Sequence, residues 1–538
     1  MTRRAPVSLI AALGLLVVVG VGLALGGRCS GEGEAGVAAP GSAAHRLDRL
    51  LRRGRAQRPA LVRALAEMIA IPSTSREPEG VASMAAHLRG RLEGLGITVT
   101  DLAVDGPPLL LASGGPLQPP DPSITLLFYA HYDGQNVDPA RWQATGPFSP
   151  TLYRGPFVAG AAAVELDAVT AADADGALRL YGRGAADDKG PIAVVLAVLE
   201  DLTRGELGPT TIGVKLLLDG EEESGSPHLG AALERAQARA LLSADAVISL
   251  DGPLHQTGAP TLSFGVRGVV TVDLITYGAD HDLHSGHYGN WAPNPALELA
   301  RLLATLKDPE TGRVQVAGFY DCRREETAAE REAIAAIPSV DDATLAELGL
   351  PRREGAWSLL EAVTYPSLNV RGLGSADVGP GARTVIPARA EAAIDMRLVP
   401  DCDGDFVIAA LQRHLEGLGY TVLADAPTVA ARREHPRLVT LKRRGPGYPG
   451  VRAPLDDALA RELTRLVTQA TGAAPVKIPT MGGSLPFYLF HEHLGLSVIA
   501  LPLVNHDNNQ HGPDENVRVG ALWRGYEVLA TILLGYRG

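Results

Sequence analysis

Imidazole and carboxylate groups beside glycine recur in three short segments: His131-Tyr-Asp-Gly-Gln135, Tyr181-Gly-Arg-Gly-Ala-Ala-Asp-Asp-Lys-Gly190 and Asp219-Gly-Glu-Glu-Glu-Ser-Gly-Ser226. Borderline divalent metals such as zinc take neutral imidazole nitrogen and ionised carboxylate oxygen, and a hydrolytic metal site must also leave a position for water. The chemistry these residue types offer is therefore metal-assisted attack by water. A glycine-rich turn opening a helix could instead cradle phosphate, but the P-loop spacing is missing and Asp187 and Asp188 would repel an anion.

The elements that must position these groups can be read from the same regions. The apolar run from Ile124 to Ala130 predicts a buried central strand with His131 at its C-terminal end, the edge at which open α/β sheets build their sites. In an extended chain Asp133 points the same way as His131 and can accept the second N–H of the imidazole. The alanine-rich stretch from Pro191 to Leu202 predicts a helix, which puts Asp187 at or just before its N-terminus. Thr211 to Leu218 reads as a strand that delivers three consecutive glutamates, a costly arrangement unless cations compensate it. Ala244 to Leu250 reads as a further strand ending in Asp251-Gly252, and the apolar run Leu496 to Val504 leads into Asn505-His-Asp-Asn-Asn-Gln-His511. Taken alone, each feature is ordinary: a strand-end histidine, a solvated acidic turn. Five segments that each present ligand types, four of them at the ends of strand-like runs and one before a helix, form a joint signal for a metal site.

These motifs resemble the two-metal peptidase family of carnosine dipeptidases, aminoacylases, succinyl-diaminopimelate desuccinylases and glutamate carboxypeptidases. The resemblance runs from about Leu61 to the C-terminus. It implies an α/β fold, a mixed-sheet catalytic domain with an inserted α+β, ferredoxin-like lid and dimerisation domain. It also implies two divalent ions, zinc first, with manganese or cobalt as alternatives. By this resemblance one ion is held by His131, Asp187 and Asp251, and the other by bridging Asp187 with Glu223 and His511. Glu222 corresponds to the general base, and Asp133 orients His131. His284, in Asp282-Leu-His-Ser-Gly-His287, corresponds to a lid histidine that reaches a partner subunit's site, so a homodimer through the lid is part of the expectation. Arg397 and Asn369 correspond to groups that hold the substrate's terminal carboxylate, a task the guanidinium fork suits. Gly482-Gly-Ser-Leu-Pro486 resembles a loop that brings Gly483 and Ser484 to the same end, where backbone N–H groups can bind an anion.

The resemblance implies that dipeptidases and aminopeptidases carry Asp at the position of Asp251, while aminoacylases and glutamate carboxypeptidases tend to carry Glu. The expected reaction is therefore amide hydrolysis in a dipeptide or short peptide, with hydrolysis of an N-acyl amino acid as the alternative. Thr480-Met481 departs from the charged residues that dipeptidase relatives place before those glycines, which bears on substrate preference. A catalytically silent binding protein on the same fold is the reading from another class. The presence of Asp187, Glu222 and His511 together speaks against it.

Composition fits this picture. With 538 residues and 46% hydrophobic content the chain can fill two cores, and a net charge of −12 argues against nucleic acid as a partner. Cys29, Cys322 and Cys402 are too few and too scattered for a disulfide scaffold or a thiolate zinc site. Arg3-Arg4 precede an apolar run from Ala5 to Gly27, about 20 residues and long enough to span a bilayer, that reads as a transmembrane anchor or a signal segment. Arg28 before Cys29 is not the small residue that lipoprotein processing requires. The expectation is an exported enzyme, membrane-anchored or released to the periplasm or extracellular space. The expected division is an anchor or signal at 1–28, a linker at 29–49, a catalytic domain at 50–258 and 451–538, and a lid at 259–450.

Overall fold

The computed structural model describes residues 42–103, 105–170 and 177–537. The expected anchor or signal segment lies outside the described residues, among which no helix is long and apolar enough to cross a membrane. Helix α1 (Ala43–Ile69) starts where Ser42 accepts the His45 N–H at 3.2 Å, a side-chain cap. The chain is therefore already helical in the last residues of the stretch expected to be a linker.

Strands β1 (Thr125–His131), β2 (Gly213–Asp219) and β3 (Ala246–Ser249) are parallel neighbours in the order β2-β1-β3, and Val498–Ala500 continues them beside β3. Their C-terminal ends thus share one edge, with His131 paired to Asp219 and Tyr129 to Ser249. The antiparallel strands Leu110–Ser113 and Thr98–Asp101 extend the sheet on one side, and Thr261–Ser263 and Val476–Ile478 extend it on the other, giving eight strands. Because Thr261–Ser263 belongs to this sheet, the lid begins later than residue 259. Successive side chains of a strand point to opposite faces, and both faces here are covered. Leu126, Phe128 and Ala130 pack under α1, α2 (Lys189–Arg204) and α3 (Val519–Gly535), while Leu127 and Tyr129 pack against Phe487, Phe490 and Leu233. That two-sided burial explains the unbroken apolar run that marks β1.

The run before Asp187 stands apart from the main sheet. Leu178–Tyr181, which leads to Asp187, lies in a separate three-stranded antiparallel sheet with Thr151–Arg154 and Asn516–Arg518. It therefore approaches the edge of the main sheet from outside.

The lid is a second sheet of β4 (Gly268–Tyr277), β5 (Ser367–Gly374), β6 (Arg389–Leu398) and β7 (Leu438–Tyr448), in the order β5-β6-β4-β7, with Thr421–Leu423 at the far edge. Helices Pro295–Leu306 and Gly404–Gly417 cover one face through Leu302 and Leu411, packed on Val272, Leu274, Ile394 and Met396. Cys322 and Cys402, 80 residues apart, are joined by a disulfide beside this core. The cysteines do not make a scaffold, yet the fold brings two scattered ones together.

The packing of α1 on α3 turns on one glycine. A Cβ at Gly54 would lie 2.3 Å from the Tyr526 ring, whose hydroxyl donates to Asp201 at 3.0 Å while Arg53 binds the other oxygen of that carboxylate at 2.9 Å. A side chain at position 54 would gain about 1 kcal/mol of helix propensity, whereas overpacking a fixed ring costs about 1–3 kcal/mol. Gly54→Leu is expected to destabilise the protein, seen as a lower urea midpoint with an unchanged slope.

Candidate metal centre

The edge formed by β1, β2 and β3 places two groups of ligand atoms side by side. His131, Glu222 and Asp251 offer atoms within 4.8 Å of one another, and so do Asp187, Glu223 and His511. Asp187 stands between the groups: its Oδ1 lies 2.9 Å from His131 Nε2 and its Oδ2 lies 3.0 Å from His511 Nε2. Each oxygen of one carboxylate thus faces a different imidazole, the disposition of a bridging ligand. Asp251 Oδ2 is 3.9 Å from His131 Nε2, and Glu223 Oε2 is 3.3 Å from His511 Nε2.

Each ligand is aimed by the element that carries it. Asp133, fully buried, approaches His131 Nδ1 with Oδ1 at 3.2 Å, so the Nε2 atom points into the site. The same carboxylate accepts the backbone N–H groups of Glu222 at 3.1 Å and Glu223 at 3.2 Å, which fixes the turn after β2. The three consecutive glutamates then divide. Glu221 turns away to His228, taking its backbone N–H at 2.6 Å and its ring at 2.8 Å, and Glu222 and Glu223 face the cluster. Gln135 donates to Glu223 at 2.7 Å and Gln510 to Asp187 at 2.9 Å. The loop bearing His511 bends sharply: Asn509, His511 and Asp514 adopt φ of 55°, 62° and 57°, a left-handed conformation that non-glycine residues hold only when the surroundings enforce it.

Two buried carboxylates that sequence reasoning passed over shape the Asp187 loop. Glu515 accepts the backbone N–H groups of Gly184, Ala186 and Asp187 at 2.9–3.0 Å and binds Arg183 at 2.6 Å. Asp188 takes the His131 N–H at 3.3 Å, tying the loop to the end of β1. The bare sequence Asp-Glu-Asn after His511 carries no local sign of this role.

Electrostatics identify what the cluster is made for. Burial pushes the Glu223 carboxyl up to about 7 and that of Asp251 up to about 6, each raised further by the charge of Asp187. Burial likewise drives Glu222 well above its ordinary value, with Asp251, Glu223 and Asp187 adding to the effect. In Asp187 burial opposes ionisation too, but hydrogen bonds to His131 and His511 outweigh it and hold the carboxyl below the usual range. Four crowded carboxylates beside two imidazoles form a donor set of oxygen and nitrogen without thiolate, and their charge matches that of two divalent cations. The residues present therefore fit a metal pair.

Arg397, Gly483 and Ser484 line the same cavity, about 730 Å³ in volume, and Arg397 Nη1 donates to Ser484 Oγ at 2.9 Å. Asn369 and His284 are not brought there. Asn369 is exposed on β5 and donates to Asp395 at 3.2 Å, and His284 is exposed in a lid ribbon beside His287.

A parallel-strand edge that gathers two imidazole and carboxylate groups beneath a lid defines a two-cation hydrolase. The chain belongs to peptidase family M20/M25/M40, whose sequence pattern matches residues 127–535. It is 26% identical over 501 residues to the Cys-Gly metallodipeptidase of Candida albicans, covering 89% of this chain and 95% of that protein. It is 26% identical over 496 residues to the human Beta-Ala-His dipeptidase, covering 88% of this chain and 89% of that protein. The crystal structure of an M20 family metallo-carboxypeptidase from Sulfolobus solfataricus superimposes with a TM-score of 0.70 at 29% identity, covering 88% of this chain and 98% of that one.

Because Asp133 both orients His131 and fixes the glutamate turn, Asp133→Asn is expected to weaken cation binding by about 10- to 100-fold. Chelator competition on the purified protein measures this, and wild-type affinity in the variant would remove Asp133 from the metal-supporting role.

Proposed function

We propose that this chain is a zinc-dependent dipeptidase that hydrolyses the amide bond of a dipeptide or short peptide bearing a free terminal carboxylate. The observation that carries the reading is the pairing, in one cavity, of a cluster bridged by Asp187 with a guanidinium, Arg397, held by Ser484 at the other end. His131, Asp187, Asp251, Glu223 and His511 would hold the ions. When bound, such a cation pair polarises the scissile carbonyl and lowers the pKa of water.

The remaining steps belong to side chains. Arg397 and Ser484 take the substrate carboxylate, which sets the distance from that end to the scissile carbonyl. Glu223 is tied by Gln135 and approached by His511, whereas among the described residues the Glu222 carboxylate accepts no hydrogen bond. Glu222 is thus the group free to take a proton from the attacking water and return it to the leaving amine nitrogen. Asp251, rather than a glutamate, supports a dipeptide over an N-acyl amino acid as substrate.

Zinc is favoured over manganese and cobalt by the ordinary affinity order at a mixed nitrogen and oxygen site. Export is supported by the apolar N-terminal run and by the Cys322–Cys402 disulfide, which persists in oxidising compartments. The exposed lid positions of His284 and Asn369 suit residues that serve a second copy of the chain in a homodimer.

The test loads the full-length chain with zinc and offers free dipeptides beside N-acetyl and N-succinyl amino acids. Faster release of amino acid from the dipeptides is the expected result. Faster cleavage of the acylated compounds would assign the chain to amino acid deacylation, and no cleavage with two ions bound would overturn the hydrolase reading. Glu222→Gln is expected to retain both ions while kcat falls by about 10²- to 10⁴-fold.

A further inference from the structure

We infer that the cavity selects substrates whose carboxylate-bearing residue has a large apolar side chain, an inference that rests on the dipeptidase reading above. Beyond the cation ligands and Arg397, one wall of the cavity is hydrocarbon and thioether: Val340, Leu359, Leu360 and Val363 from the lid, with Ile478 and Met481 from the catalytic domain.

The loop from Met481 to Ser484 fixes where this wall stands along the substrate. Met481 closes over Gly252, the residue after Asp251: a Cβ on Gly252 would lie 3.6 Å from the Met481 sulfur. Gly482 lies under Val363, since a Cβ on it would be 3.4 Å from Val363 Cγ1. Ser484 then accepts the hydrogen bond from Arg397 at 2.9 Å. In a few residues the loop therefore runs from a cation ligand, past the apolar roof, to the guanidinium. A dipeptide with its carboxylate on Arg397 and its scissile carbonyl at the cations lays its C-terminal side chain along Met481 and Val363.

The roof is a built surface. Gln256, at the cavity edge, donates to Glu347 at 3.0 Å and accepts from the Thr344 hydroxyl at 2.9 Å. Asp341 accepts the Leu359 N–H at 3.1 Å and pairs with Arg353 at 2.6 Å. These contacts fasten segments 341–347 and 359–362 to each other and to the catalytic domain. Leu359 nonetheless remains 48% exposed. Apolar surface facing water is stabilised in proportion to the area a ligand covers, whereas a charge brought against it loses hydration without finding a partner. An apolar side chain is therefore the group this wall favours, and a carboxylate is the group it rejects.

The experiment measures kcat/KM of the full-length zinc-loaded enzyme on Ala-Gly, Ala-Asp, Ala-Leu, Ala-Phe and Leu-Gly, together with inhibition by free leucine and free glycine. Ala-Leu and Ala-Phe are expected to exceed Ala-Gly by about 10- to 100-fold, the range that apolar pocket contacts deliver. Leucine is expected to inhibit more strongly than glycine. Leu359→Ser, at an exposed position where folding is not at stake, and Met481→Gln should each lower the ratio of Ala-Leu to Ala-Gly by about tenfold.

Equal rates on Ala-Leu and Ala-Gly, a preference for Ala-Asp, or a ratio unmoved in both variants would overturn the inference while leaving a dipeptidase. A preference that follows Leu-Gly would place the wall on the amino side of the scissile bond and overturn it as well. Silence on every dipeptide would overturn the dipeptidase reading and this inference together.

Discussion

The structure is organised around a repulsion. Asp187, Glu222, Glu223 and Asp251 converge on one poorly hydrated spot, where like charges are screened least; Glu222, Glu223 and Asp251 resist ionisation there, while the two imidazoles keep Asp187 charged. A fold can keep such a cluster only by holding its members rigidly and by supplying positive charge. The two imidazoles are too little, and a pair of divalent cations supplies the balance. The same crowding that makes the cluster costly without cations makes it strong with them.

Rigidity comes from carboxylates that bind no ion themselves. Asp133 joins the end of β1 to the turn after β2 by accepting from His131, Glu222 and Glu223, so two ligand segments cannot move independently. Glu515 does the same for the loop before α2, gathering three backbone N–H groups and one guanidinium. The parallel strands supply the reference frame. With both faces packed, their ends cannot shift, and side chains leaving those ends are aimed to within the precision that metal coordination needs.

The lid turns this cluster into a site of limited dimensions. Arg397 on β6 reaches Ser484 of the catalytic domain, so the distance from guanidinium to cations is set by a contact between domains. The apolar roof adds a third requirement, for hydrocarbon between the two charged ends. Charge at each end and hydrocarbon between them describe a small amphiphile rather than a polymer, which agrees with peptide hydrolysis at a terminus.

Much of this was legible in the linear chain, for a definite reason. A strand buried on both faces must be apolar throughout, so β1 announces itself, and the polar residue that ends it is conspicuous; His131, Asp133, Glu223 and Asp251 were all readable in this way, and the resemblance to two-metal peptidases assigned their partners. Tertiary structure decided what depends on chain segments far apart. Glu515 meets Asp187 across 328 residues, and Cys322 meets Cys402 across 80. Leu178–Tyr181, which leads to Asp187, pairs with Asn516–Arg518 in another sheet. His284 and Asn369 carry suitable chemistry but stand outside the cavity, and Val340, Leu359 and Val363 carry no local sign of a role until the lid folds over Met481. Local pattern records what each segment must bury, because burial acts residue by residue along a strand or helix. Which buried surfaces meet is settled only when the whole chain closes, and on that closure depend the second layer of the metal site and the shape of the substrate cavity.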